Sequence, residues 1–168
     1  VDVAGTGLGS FYEYFANKDD LARVSVHLRS KTLLAAMHGA VAAQAGQTMV
    51  QIVHTILHAL ADAHACHPLE WGAHYALERQ VSDPDAYARM YERFVSEWAS
   101  ALARSSDALP PGAELDEAAR TCHTIAYGLF AHAHIRAYAG AAPAPDVRTV
   151  ARQAKLAMLG YLAQLKAP

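Results

Sequence analysis

Two cysteines in 168 residues are too few for a disulfide framework, and a chain of this length can bury a core without one. No apolar run reaches the roughly 18 residues that a membrane-spanning helix requires. No signal peptide opens the sequence. The expectation is a cytoplasmic protein with no membrane partner. Charge of one sign is missing too: 14 Lys and Arg stand against 16 Asp and Glu, a formal net charge of −2. Nothing in the total charge pulls the chain toward nucleic acid, so any such binding must come from a local segment. Charged residues are only 18% and hydrophobic ones 53%, which excludes a disordered or solvating tail. Strand-type runs are scarce, while alanine, the best helix former, is roughly a fifth of the chain. The fold class expected is all-α.

Catalytic signatures are also lacking. There is no Gly-x-Ser-x-Gly, no phosphate-binding glycine loop and no His-Glu-x-x-His. Glu70, Glu78 and Glu97 stand alone on helices and read as solvated or structural. The expectation is a protein that is not an enzyme, with no cofactor and no metal.

Punctuation divides what is present into helices. Gly5, Gly7 and Gly9 break the opening, a short helical segment spans about 8–15, and residues 16–18 form a turn. Asn17 is a good N-cap, with Asp19 and Asp20 where the helix dipole favours acids. A long helix follows over about 19–44, stopped by Gly46. Further helices are expected over about 47–64, 68–80, 84–105, 114–138 and 146–166. In the last, Val147, Val150, Ala151, Ala154, Met158, Tyr161, Leu162 and Leu165 form one apolar stripe. The helix before it has no charged residue from Thr121 to Ile135 and must be covered on both sides. These two helices are the expected homodimer interface, with Met158 and Leu162 on it.

The densest signal runs from Val3 to Leu21. Phe11 and Phe15, at i and i+4, share a face that would pack inward. Ser10, Tyr12, Tyr14 and Lys18 carry groups that hydrogen-bond phosphates and base edges. The segment resembles the TetR family of bacterial transcriptional repressors. Ala4, Gly5, Gly9, Ser10, Phe11, Tyr12, Tyr14, Phe15, Asn17, Lys18 and Leu21 match the family pattern, while Thr6, Gly7 and Leu8 depart from it.

The resemblance implies a TetR-like helical bundle. Residues 1–31 would be a partial helix-turn-helix region with its recognition helix at about 8–15. Residues 32–168 would be a ligand-binding and dimerisation domain. Gly9, Ser10, Tyr12, Glu13 and Tyr14 would face DNA, and Lys18 would hold a phosphate. Leu8 cannot hydrogen-bond a base, and Glu13 could read only a cytosine amino group. The family has two helices ahead of this point, so a preceding segment supplying positive charge is expected.

Trp71, His74 and Tyr75 lie on one helix, Phe94 and Trp98 on the next, and Tyr127, Phe130 and His134 on the one after. Core packing is one role for each. Together they suggest a mainly apolar small-molecule pocket with a few polar tips. The ten histidines invite a metal reading. His54 and His58 have chelating spacing but lie opposite the apolar face of Met49, Ile52, Val53, Ile56 and Leu60, so they read as exposed. His64, Cys66 and His67 lack a matching second pair.

The expected function is that of a one-component regulator, a repressor of a double-stranded operator released by a small-molecule effector. The rivals are a helical metal-binding or enzymatic protein using the histidines, and a helical interaction module without DNA binding. Lys18→Ala in the intact protein should weaken binding to all duplexes alike and lower the salt slope by about one. The intact protein should bind a pseudo-palindromic duplex and the 168-residue chain alone should not, because Phe11 and Phe15 would lack the packing partners that the preceding helices supply. Electrophoretic titrations at two salt concentrations check both. An unchanged salt slope would remove Lys18 from the interface.

Overall fold

The computed structural model describes residues 17–42, 46–107 and 113–165. The expected recognition helix, with Gly9, Ser10, Tyr12, Glu13 and Tyr14, lies outside the described residues. Six helices and no strand are found among the described residues. They are α1 (Lys18–Ala42), α2 (Met49–Ala65), α3 (Pro68–Val81), α4 (Pro84–Ala103), α5 (Ala113–Tyr138) and α6 (Val147–Leu165). The all-α expectation holds. Position 31, where the sequence suggested a domain boundary, falls inside the unbroken α1.

Local chemistry sets the helix ends. Asn17 Oδ1 accepts the Asp20 amide at 2.9 Å and starts α1, as its N-cap position suggested. Thr48 and Gln51 form a reciprocal capping box on α2. The Asp107 carboxylate accepts the Met49 amide at 2.7 Å, tying the end of the α4 turn to the positive end of α2. Asp83 accepts the Ala86 amide at 2.9 Å, and Pro84 fills the first turn of α4. Asp146 accepts from the Arg148 amide and the Thr149 hydroxyl, and these bonds hold its carboxyl below the ordinary range. At the end of α5, Gly140 takes φ 72°, which lets the amides of Gly140 and Ala141 reach the carbonyls of Ala137 and Arg136.

The helices pack around one core. α2 lies against α1 and α6, α5 against α3, α4 and α6, and α1 crosses α2, α3 and α4. The apolar face of α2 is the one the sequence suggested, and it runs on to His64 at its last turn. Trp71, Trp98, Phe130, Met37, Ile52, Ile56 and Met158 are fully enclosed.

The expectation about α6 needs correction. The stripe of α6 is buried within its own subunit: Met158 is 0% and Leu162 2% exposed. These residues pack into the core beside α2 and α5, so they are not a free dimer face. On α5, Thr124, Gly128 and His132 are exposed along one side, and the opposite side is buried in the core. Hydropathy alone could not distinguish a helix covered by its own chain from one covered by another.

The tightest contact joins α3 to α5. A Cβ on Gly72 would come within 2.4 Å of Tyr138 Cβ and 2.9 Å of the His134 carbonyl oxygen. Both are fixed by the backbone of α5 and cannot swing aside. Gly72→Ala should therefore destabilise the protein by about 1–3 kcal/mol despite alanine's better helix propensity. For a domain of this size that is a drop in Tm of roughly 2–10 °C by calorimetry. A Tm equal to or above that of the parent would show that the two helices can separate freely.

Candidate functional site

A cavity of about 50 Å³ lies between five helices. α1 contributes Ser30, Leu33 and Met37, and α2 contributes Leu60 and His64. His74, Tyr75 and Glu78 come from α3. α4 supplies Tyr87, Met90, Tyr91, Phe94 and Trp98, and α5 supplies His123, Ala126, Tyr127 and Phe130. A second cleft of about 340 Å³ opens beside it, between α1 and the α3–α4 turn. Arg23, Val24, His27 and Leu28 form one wall, and Ser82, Asp83 and Ala86 another. Ser30, Glu78, Tyr87 and Met90 line both spaces and form the neck between them. The cleft falls in the size range of small-molecule sites, whereas the inner cavity holds only a compact group.

Helical spacing explains how α3 arms this wall. His74 and Glu78 are one turn apart at i and i+4, with Tyr75 beside them, so all three reach the cavity wall. Tyr127 Oη donates to Glu78 Oε2 at 2.5 Å. Burial pushes the Glu78 carboxyl above its ordinary range, while the Tyr127 bond and Arg79 oppose the shift. The Tyr127 phenol is pushed up by burial and by that carboxylate. No ion pair engages Glu78 among the described residues.

The histidines are held neutral. His64 Nδ1 bonds the Leu60 carbonyl oxygen at 2.6 Å, and its Nε2 bonds Tyr75 Oη at 2.8 Å. A carbonyl can only accept, so Nδ1 carries the proton and Nε2 accepts from the tyrosine. Burial lowers His64 to about 3, against the opposing pull of the Leu60 bond. Its ring stacks on Phe130 at 4.4 Å and on His134 at 5.1 Å, with Trp71 tilted beside it at 4.4 Å. His123 stacks on Phe94 at 5.2 Å and meets Tyr91 edge-on, and burial lowers it to about 4. His74 is likewise lowered to about 4, by burial and then by the nearby Arg29 charge. Arg29 itself is engaged, paired with Glu70 and lying 5.3 Å from the Trp71 ring centre. Trp71 Nε1 and His74 Nδ1 are buried with no hydrogen-bond partner among the described residues. Such groups are costly and call for a ligand or water.

Of the residues expected to bind ligand, His74, Tyr75, Phe94, Trp98, Tyr127 and Phe130 line the cavity. Trp71 and His134 do not; they are buried behind the wall, against His64. Lys18 is exposed at the start of α1. Glu78 is neither solvated nor isolated, being 6% exposed and bonded to Tyr127. Its spacing from His74 gives the helix face the two share, but not that this face is buried. His64 also parts from its expected companions: it is buried, while Cys66 and His67 are exposed. It completes the buried stripe of α2, one turn beyond Leu60.

His54 is exposed and His58 half-buried, their rings 4.1 Å apart, with Arg148 bonded to His58 at 2.8 Å. Among the described residues no group of three or more His, Cys, Asp or Glu could hold a metal. Burial pushes the Cys122 thiol up to about 12, which leaves it unreactive. No family model, curated protein or solved structure matches the chain.

The neutral histidines make stability depend on pH. His64, His74 and His123 titrate at about 3, 4 and 4 in the fold, well below the ordinary 6.5. The unfolded chain therefore binds more protons between these values, and stability is lost as pH falls from about 6.5 toward 4. Each histidine can contribute up to about 1.4 kcal/mol per pH unit in that window. Glu78, raised in the fold, acts in the opposite sense around its own lower range. Urea midpoints should fall steeply between pH 6.5 and 5 and level off above 7. A flat profile from pH 7 to 5 would mean that the three rings are hydrated.

Proposed function

We propose that the protein is a one-component transcriptional regulator: a repressor that binds operator DNA as a homodimer and leaves it when a small organic molecule enters the cavity. One observation carries the reading. The cavity lies beneath α1, which supplies Ser30, Leu33 and Met37 to its wall. The same helix opens at Lys18, within the TetR-like segment. An occupant that displaces the cavity-lining part of α1 would move the DNA-reading segment with it. Ligand would then shift a pre-existing equilibrium between DNA-competent and released forms. Going from almost all bound to almost all free requires about 5.5 kcal/mol of preference for the released form.

The outward faces of α5 and α6 support dimerisation, in place of the buried stripe. Leu156 is 67% exposed, the largest exposure of any big apolar side chain among the described residues. Gly160 lies one turn further along α6, and Gly128 follows Thr124 by one turn on neighbouring α5. A Cβ at either glycine would meet nothing within 4 Å in its own subunit. Small residues on exposed helix faces allow two helix pairs to approach closely. A four-helix interface of this kind needs to bury more than about 1,000 Å² in total.

The test is selection of a duplex from a random pool by the intact protein, followed by anisotropy titration. Pseudo-palindromic winners bound by two protomers are expected. Leu156→Glu should yield monomers in light scattering and weaken operator binding at least about tenfold, with Tm changed little because the site is solvent-facing. Failure to enrich any sequence would remove the regulator reading. A Leu156→Glu dimer would place the interface elsewhere.

A further inference from the structure

The cavity has a chemistry that selects its occupant. Glu78 stands at the neck, 6% exposed, and its Oε2 is taken by Tyr127 while Oε1 has no partner among the described residues. One turn away on the same face of α3, His74 is 5% exposed and its Nδ1 is unpartnered. Around these two groups the wall is largely aromatic, from Tyr87, Tyr91, Phe94, Trp98 and Tyr127. Aromatic faces attract cations and give anions nothing.

Two of the positive groups nearby, Arg23 and Arg29, are already engaged. Arg23 donates to the Val81 carbonyl oxygen at 3.0 Å and pairs with Asp20 at 2.6 Å. Arg29 pairs with Glu70. Arg79 is exposed beside Glu78 without forming an ion pair to it. The histidines facing the space, His64, His74 and His123, carry no charge near neutral pH. Outside the neck, Val24 and Leu28 are 44% and 58% exposed and line the cleft together with Tyr87.

We propose that the cavity and cleft take an organic cation with an N–H donor: a protonated amine head bound at Glu78 and His74 among the rings, with an apolar body in the cleft against Val24, Leu28 and Met90. The volumes fix the orientation. The inner space of about 50 Å³ accepts a compact head, and the cleft of about 340 Å³ accepts a flat or branched body. The N–H of the head donates to the Glu78 carboxylate, which supplies the countercharge, and the head lies beside His74. This inference rests on the reading of the cavity as a ligand site, but not on DNA binding.

Three probes of one shape and different charge test it on the full chain at pH 7.5, by calorimetry and Trp fluorescence. They are N,N-dimethyl-2-naphthylmethylamine, its neutral carbon isostere 2-isobutylnaphthalene, and 2-naphthylacetate. The amine should bind at least about tenfold more tightly than the isostere, as a desolvated charge-assisted contact allows, and the anion more weakly than either. Glu78→Gln should abolish the preference for the amine. Equal affinity for amine and isostere, tighter binding of the anion, or no amine binding at millimolar concentration would each overturn the proposal. So would a folded Glu78→Gln variant that keeps the preference; if that variant does not fold, the three-probe ranking on the parent chain decides. Operator release is read separately. Selective amine binding without release would count against the regulator reading and leave the cation site standing.

Discussion

Position 72 has no room for a side chain, and much of the interior follows from that. With only a hydrogen there, α3 can rest directly on the backbone of α5 near His134 and Tyr138. This closeness brings Glu78 within 2.5 Å of the Tyr127 hydroxyl. It sets Tyr75 and Tyr127 edge to face at 5.6 Å. It also places Tyr75 under His64, so that a hydrogen-bond chain runs from the phenol through the imidazole to the Leu60 carbonyl. A wider α3–α5 spacing would lengthen the Glu78–Tyr127 bond and part the Tyr75 and Tyr127 rings, and buried polar groups tolerate that poorly.

The core therefore mixes two kinds of packing. Toward α2 and α6 it is aliphatic, built from Ile52, Val53, Ile56, Leu57, Ala154 and Met158. Toward α3, α4 and α5 it is made of rings, several of them imidazoles. A neutral imidazole stacks much as a phenyl ring does and brings two polar atoms with it. His64 has both satisfied, whereas His74 leaves Nδ1 without a partner. The aliphatic half can be explained by stability alone. The aromatic half carries the unpartnered polar atoms Trp71 Nε1 and His74 Nδ1 and the empty volume of the cavity.

Much of the architecture was legible in the residues. Asn17, Asp83 with Pro84, and Asp146 announced helix starts through capping chemistry that works over three or four residues and needs no tertiary context. The face of α2 was legible for a similar reason, because a stripe at helical spacing has only one way to be buried. The partner of a stripe is not local information. Met158 and Leu162 read equally well as facing a second subunit or α2, and they sit in their own subunit's core. Most of the cavity's aromatics could be named from their size and spacing. Glu78 could not, because a lone carboxylate on a helix usually faces water. Only the approach of α5 shows that this one faces a tyrosine.

Helix α1 spans 25 residues without a break from Lys18 to Ala42, and its cavity-lining residues lie in its second half. Between Met37 and Lys18 lie 19 residue steps, or about 28 Å at 1.5 Å per residue. A rigid rod of that length works as a pointer. Tilting it by about 5° about Met37 would carry the tip at Lys18 through roughly 2.5 Å. A disturbance no larger than one displaced methyl group at the cavity end is thereby magnified to the scale of a hydrogen bond made or broken at the other.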